Sequence, residues 1–93
     1  MPPPEEGPLA VIVDDDEVFR QRLCRALAQR GWEAIPAGYA EEALATVRER
    51  APDLVLVDLR MPGTNGLDLL PELRAIDSSM TIMVLPGYGS IPT

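Results

Sequence analysis

The sequence predicts a doubly wound α/β domain with a parallel sheet, and two features of the chain support this prediction. Short runs of apolar, mostly β-branched residues alternate with segments whose apolar residues recur at helical spacing. The short runs are apolar throughout, as is typical of strands that are buried on both faces. This alternation predicts parallel strands joined by crossover helices. Residues 1–8 are rich in Pro and Glu and predict an extended leader, which leaves residues 9–93 for one small domain.

The first half of the predicted domain begins with a strand at Leu9–Val13. An acidic run, Asp14 to Glu17, ends this strand and opens a helix that is expected from Val18 to about Arg30. Gly31 supplies the C-terminal stop of that helix. A weaker second strand is predicted at Trp32–Pro36.

A second helix follows, and its apolar face consists of Ala43, Leu44 and Val47. Pro52 then precedes the central strand, which begins at Leu54 and ends at Asp58. After this strand comes a turn-forming run that lets the backbone fold around the Asp58 side chain. The run contains Pro62, Gly63, Asn65 and Gly66.

The third helix is expected to start near Asn65 or Gly66 and to run to about Ile76. Its predicted inward positions are Leu67, Leu70 and Leu73. Pro71 is placed near the first turns of this helix, where a missing N–H is tolerated better than in the interior. The last predicted element is a fourth strand at Thr81–Leu85, which the run from Pro86 to Gly89 breaks.

Composition excludes several functions. A formal net charge of −7 and a pI near 4.3 argue against direct nucleic-acid binding, which needs a basic face. The chain has no His and no Lys, so imidazole and lysine chemistry are absent, and Cys24 alone cannot form an intrachain disulfide. The apolar runs are too short to span a bilayer and no signal peptide is evident, so we expect a reducing, cytoplasmic environment.

Three carboxylates form the candidate site. If the first and third strands are neighbours, Asp14 and Asp15 at the end of one come close to Asp58 at the end of the other. Crowded carboxylates disfavour simultaneous ionisation, and a hard cation with oxygen ligands relieves this repulsion. Mg²⁺ fits best, because it accepts one or two carboxylates and leaves room for phosphate oxygens. A carboxylate beside Mg²⁺ can attack a phosphoryl donor and form an aspartyl phosphate.

At these residues the sequence resembles the receiver domain of bacterial response regulators. The motifs that carry the resemblance are Val13-Asp14-Asp15-Asp16, the run from Val57 to Gly63, Asn65-Gly66-Leu67, and the fourth strand with Gly87 to Ser90. The resemblance implies a flavodoxin-like sheet and a phosphoryl donor that is a sensor histidine kinase or a phosphotransfer protein. It also implies a signalling module rather than an enzyme.

The resemblance further implies a role for each matching residue. Asp58 is the expected phosphoacceptor, Asp15 a direct Mg²⁺ ligand, and Asp14 a partner of the metal through water. The backbone carbonyl of Arg60 is expected to complete the protein's share of the metal shell.

The sequence also departs from the family pattern. A Ser or Thr normally follows the fourth strand, binds the phosphoryl group and couples it to a switch, but here that position is Pro86. Proline has neither a hydroxyl nor an N–H, and Ser90 offers a hydroxyl four residues later. The family's Lys and aromatic switch residue on a fifth strand have no counterpart, so the expected domain is a receiver truncated after its fourth strand.

Three alternatives remain open at this point. Asp14 to Asp16 could simply cap the first helix. The chain could be a phosphorylation-impaired receiver that acts as an interaction module, since Pro86 replaces the switch residue. A phosphatase or phosphomutase with an aspartyl nucleophile is disfavoured. By their family pattern such enzymes have a second Asp two residues after the nucleophile as the general acid and base, and this chain has Arg60 at that position. The uncovered fourth strand also predicts association, as a homo-oligomer or through a domain swap.

Overall fold

The computed structural model describes residues 7–58, 60–61 and 64–85, with side-chain detail for 7–58 and 68–85. The predicted leader falls mostly on residues 1–6, which lie outside the described residues. The elements alternate as predicted. In chain order they are β1 (Leu9–Val13), α1 (Glu17–Gln29), β2 (Glu33–Ala37), α2 (Ala40–Arg50), β3 (Leu54–Asp58), β4 (Arg60–Met61), β5 (Thr64–Asn65), α3 (Gly66–Ile76) and β6 (Thr81–Leu85).

Four strands form one parallel sheet in the order β2-β1-β3-β6, which confirms the predicted doubly wound architecture. The central strands β1 and β3 pair in a register that sets Val13 beside Val57. β2 pairs with β1 along its whole length, Leu9 beside Glu33 and Val13 beside Ala37. β2 contains Pro36, and a strand at the edge of a sheet tolerates a residue without an N–H.

Both faces of the sheet are covered, and this explains the wholly apolar strands. All five residues of β1 are buried, as are the last four of β3. On one face α2 and α3 pack on the sheet, and this core includes Val11, Val13, Ala43, Val47, Val55, Val57, Leu69 and Leu73. On the other face α1 packs on the sheet, and the core there includes Ala10, Ile12 and Leu56 with the partly buried Leu23, Cys24, Leu27 and Trp32.

The helix and strand boundaries differ slightly from the predicted ones. α1 starts and ends one residue earlier than predicted, and β2 lies one residue later. In α3, Leu73 is buried as expected, but the fully buried Leu69 was not among the predicted inward positions. Pro71, predicted near the first turns of α3, lies inside the helix, so it offers no N–H to the carbonyl four residues earlier.

The run after Asp58 contains a short antiparallel hairpin that the sequence did not predict. β4 and β5 pair with Arg60 beside Asn65 and Met61 beside Thr64. Pro62 and Gly63, between these strands, lie outside the described residues. The expected turn is therefore framed by two short strands, and α3 starts directly after the second.

β6 lies at the end of the described sheet and exposes apolar side chains. Met83 is 51% exposed and Val84 is 37% exposed, whereas the central strands are almost fully buried. Association through this strand stays a prediction. Within the described ranges, no helix is long and apolar enough to cross a membrane.

Two helix ends allow a matched test of backbone strain. Gly31 after α1 has φ +91° and Ala51 after α2 has φ +48°, and both are in the left-handed region that favours glycine. Since nothing lies within 4 Å of a Cβ at residue 31, only the backbone opposes Gly31→Ala. We expect this change to lower the free energy of unfolding by about 1 kcal/mol.

We expect the reverse change, Ala51→Gly, to raise the free energy of unfolding by about 0.5 kcal/mol, after the larger entropy of an unfolded glycine is subtracted. Urea denaturation of both variants measures the two effects. Equal destabilisation by both changes would contradict the argument from φ.

Candidate functional site

The candidate site lies at the carboxyl edge of the two central strands. Asp14 follows β1, Asp58 is the last residue of β3, and the parallel pairing of Val13 with Val57 sets them side by side. Carboxylate oxygens of Asp14, Asp15 and Asp58 all lie within 4.8 Å of one another. The structure therefore brings together the three carboxylates as expected from the sequence. We call these three residues the acidic cluster.

The three carboxylates differ in their exposure to solvent. Asp14 is 1% exposed and Asp58 is 4% exposed, and they are the buried charged residues of the described part. Asp15, in contrast, is exposed. In the acidic cluster, Asp14 and Asp58 are thus shielded from solvent, whereas Asp15 is accessible to it.

Asp14 is held by contacts from β2, from α1 and from its own loop. Its backbone N–H donates to the carbonyl of Ala37 in β2 over 3.0 Å. Its backbone carbonyl accepts a 2.6 Å hydrogen bond from Nη1 of Arg20 in α1. Its side-chain Oδ1 accepts a 2.9 Å hydrogen bond from the N–H of Asp16. The loop between β1 and α1 is therefore fixed from both its backbone and its side chain.

The pKa of the Asp14 carboxyl is raised from 3.8 to about 6, and burial is the largest cause. The charge of Asp58, a side-chain hydrogen bond with Asp58 and the charge of Asp15 contribute to this rise, whereas the Asp16 N–H opposes it. At neutral pH the cluster thus carries negative charge in a place that disfavours it. A hard divalent cation relieves this, and three carboxylates are the oxygen donors that Mg²⁺ and Ca²⁺ prefer. The donor set fits such a cation.

Helix capping explains only one residue of the acidic run. Asp16 is the N-cap of α1, and its Oδ1 accepts a 3.1 Å hydrogen bond from the N–H of Phe19. Capping is therefore correct for Asp16. It does not account for Asp14 and Asp15, whose carboxylates face that of Asp58.

The other predicted site residues lie in β4 or outside the described residues. Arg60 lies in β4, two residues after Asp58, and its proposed carbonyl contact stays a prediction. Pro86, the departed switch position, and Ser90 lie outside the described residues. The structure adds Arg20 and Gly38, which the sequence did not single out. The sequence does show an Arg in the first turns of a helix that follows an acidic run, which is compatible with a contact between the two. A long side chain can point in many directions, however, so this pattern does not predict the contact with the Asp14 carbonyl.

Comparison with known proteins agrees with this geometry. The response regulator receiver domain family matches residues 10–93. Over 88 residues the chain is 41% identical to the photosynthetic apparatus regulatory protein RegA of Rhodovulum sulfidophilum. This match covers 95% of this chain and 48% of that protein. The chain spans about half the length of the first curated relatives it matches, with 45% for two further RegA proteins.

Solved structures give the same result. A Burkholderia pseudomallei response regulator with a phosphorylated aspartic acid, a calcium ion and citrate superposes with a TM-score of 0.83 and 33% identity, covering 90% of this chain and 49% of that one. The Thermotoga maritima response regulator TrrA in complex with Mg²⁺-BeF superposes with a TM-score of 0.77 and 32% identity, covering 83% and 67% of the two chains.

The raised pKa of Asp14 predicts how stability depends on pH. Between pH 3.8 and about 6 the folded chain binds more protons at Asp14 than the unfolded chain does, so Asp14 lowers the free energy of unfolding as pH rises. Asp14→Asn removes this penalty and keeps an oxygen for the Asp16 N–H. Without divalent cations, the variant should exceed the wild type by about 1–3 kcal/mol above pH 6.5, with the gap closing towards pH 4.

Urea denaturation in EDTA across this pH range measures the gap. Asp16→Asn is the matched control, since it removes one charge at an exposed position and Asn is an equally good cap. The control should change stability by no more than about 0.5 kcal/mol. A pH-independent gap for Asp14→Asn would show that the buried carboxyl does not titrate in this window.

Proposed function

The chain belongs to the response regulator receiver domain family, and we propose that it accepts a phosphoryl group on Asp58 with the help of Mg²⁺. The observation that carries this proposal is the convergence of the Asp14, Asp15 and Asp58 carboxylates within 4.8 Å at the carboxyl edge of the sheet. A phosphorylated aspartic acid in the related Burkholderia pseudomallei protein supports it.

The proposed step is a direct transfer of the phosphoryl group. A carboxylate oxygen of Asp58 attacks the phosphorus, the new P–O bond forms, and the bond from phosphorus to the donor breaks. With a phosphohistidine donor the P–N bond breaks, and the leaving imidazole takes up a proton. Such a transfer needs little covalent chemistry from the protein, so positioning and charge neutralisation dominate catalysis.

Differences in burial suggest different tasks within the acidic cluster. Asp58 is 4% exposed and sits at the end of a rigid central strand, which suits a fixed acceptor. Asp15 is exposed and suits direct contact with a hydrated cation. Asp14 is buried and already accepts the Asp16 N–H, so it suits contact through water. The carbonyl of Arg60 completes the proposed ligand set.

Mg²⁺, when bound, supplies positive charge that offsets both the acidic cluster and the charge on the phosphoryl oxygens. The calcium ion in the Burkholderia pseudomallei structure and the Mg²⁺-BeF in the TrrA structure support binding of a divalent cation by this chain as well. Mg²⁺ is preferred here because only a few carboxylates are available, which leaves coordination positions for water and phosphate oxygens.

The proposed donor is a phosphohistidine on a sensor histidine kinase or a phosphotransfer protein. Receiver domains are signalling modules that interact with such proteins, and we propose the same partners for this chain. Its net charge of −7 makes direct nucleic-acid binding by this domain unfavourable.

A second candidate function follows from one feature of the sequence. Pro86 stands where the family pattern has a hydroxyl that binds the phosphoryl group. A receiver that lacks this contact could act through protein association alone, and the exposed apolar residues of β6, Met83 and Val84, suit such a role.

Intact mass spectrometry after incubation with acetyl phosphate separates the two candidates. The wild type should gain the mass of one phosphoryl group in the presence of Mg²⁺ and not in EDTA, because the acidic cluster repels the donor when no cation is bound. Asp58→Asn should gain none, since its amide is not a nucleophile at this step.

Asp16→Asn is the control, because it removes a nearby acidic charge from an exposed cap residue. This variant should be labelled like the wild type. A folded wild type without any adduct would favour the interaction module, and an adduct that survives Asp58→Asn would assign the acceptor to another residue.

A further inference from the structure

Arg20 connects α1 with the loop that carries the acidic cluster. It lies four residues after the N-cap Asp16, and its Nη1 donates a 2.6 Å hydrogen bond to the carbonyl of Asp14. This carbonyl belongs to the peptide that joins Asp14 to Asp15. Because a peptide unit is planar, fixing its carbonyl restricts ψ of Asp14 and φ of Asp15 together. The direction in which the Asp15 side chain leaves the backbone is therefore set partly by Arg20.

A second contact holds the backbone on the other side of Asp14. The Asp14 N–H donates to the carbonyl of Ala37 at the end of β2 over 3.0 Å. β2 and α1 thus hold the N–H and the carbonyl of one residue. The side chain of Asp15 itself takes part in no hydrogen bond within the described part of the structure, so its position depends on this backbone.

Gly38 makes room for the guanidinium. A Cβ at residue 38 would lie 3.2 Å from Nη1 of Arg20 and 3.7 Å from its Cζ. The backbone of Gly38 is anchored by its N–H, which donates to Oε1 of Glu42 over 2.7 Å. A side chain at residue 38 therefore forces the Arg20 guanidinium to shift by at least a few tenths of an ångström, which strains its hydrogen bond to the Asp14 carbonyl.

The charge of Arg20 acts against a bound cation. The guanidinium forms no ion pair within the described residues, and it is anchored to the backbone of a residue in the acidic cluster. A positive charge close to the cluster stabilises the carboxylates but repels a divalent cation. The charge of Arg20 thus weakens cation binding, whereas its hydrogen bond to the Asp14 carbonyl strengthens binding by positioning Asp15.

We infer that Arg20 is a positioning residue of the cation site, which holds the Asp14–Asp15 peptide so that Asp15 meets the cation, with Gly38 providing the space. This inference rests on the proposed function, because it concerns the same divalent cation. Residues that orient metal ligands typically contribute 10- to 100-fold in metal affinity.

Calorimetric titration with Mg²⁺, without any phosphodonor, tests the inference. Arg20→Met keeps much of the side-chain length but has no donor, and it should weaken Mg²⁺ binding by about 10-fold or more. Arg20→Lys keeps a donor that can reach the carbonyl, and it should restore most of the affinity. If charge dominated instead, Arg20→Met would bind Mg²⁺ more tightly than the wild type.

Gly38→Ala gives an independent test that leaves Arg20 in place. It should weaken Mg²⁺ binding in the wild-type background and have no further effect in Arg20→Met, because no guanidinium remains to be displaced. Thermal melts in EDTA measure the stability of each variant separately. A purely structural role would lower the melting temperature and leave the Mg²⁺ affinity of the folded protein unchanged.

The outcomes separate this inference from the proposed function. A folded wild type that does not bind Mg²⁺ would overturn the proposed function and the inference with it. A wild type that binds Mg²⁺, with equal or tighter binding by Arg20→Met, would overturn the inference alone. If Arg20→Met fails to fold, unchanged Mg²⁺ affinity in Gly38→Ala would overturn it, and weakened affinity there would support it.

Discussion

Parallel pairing of β1 with β3 sets Val13 beside Val57, and the residue after each of them is an aspartate. The backbones of these two aspartates cannot move apart without breaking the centre of the sheet. Both strands are buried on both faces by aliphatic side chains, so the sheet resists such a movement. The close approach of Asp14 and Asp58 is thus a consequence of the core.

Holding these carboxylates close together in a buried place costs free energy, and a bound cation would offset this cost. Burial and neighbouring carboxylates disfavour the charged form of Asp14 and raise its pKa to about 6. A cation that binds the folded site and not the unfolded chain relieves the repulsion and adds stability by mass action. The proposed affinity for a hard cation and the cost of the site without it therefore have the same origin, and the buried valines and leucines of the sheet offset that cost.

The sequence predicted those parts of the fold that depend on patterns within a strand or a helix. The strands Leu9–Val13 and Thr81–Leu85 were predicted with the bounds observed, because wholly apolar runs between turn residues have one good interpretation. The acidic cluster followed from strand order. The β4–β5 hairpin and the contact of Arg20 with the Asp14 carbonyl were missed, because each depends on how the chain folds back on itself rather than on a local pattern.

Helix capping and the proposed cation binding involve different residues of the same acidic run. Asp16 caps α1 through the Phe19 N–H, and its own N–H donates to the carboxylate of Asp14. The start of α1 is therefore linked to the acidic cluster by a continuous chain of hydrogen bonds. Arg20, one helical turn after Asp16, makes a second connection through its hydrogen bond to the Asp14 carbonyl. Since the positive end of the helix dipole also favours nearby carboxylates, α1 supports the cluster in the absence of a cation. The charge of Asp14 therefore determines the strength of the hydrogen bond from the Asp16 N–H at the start of α1.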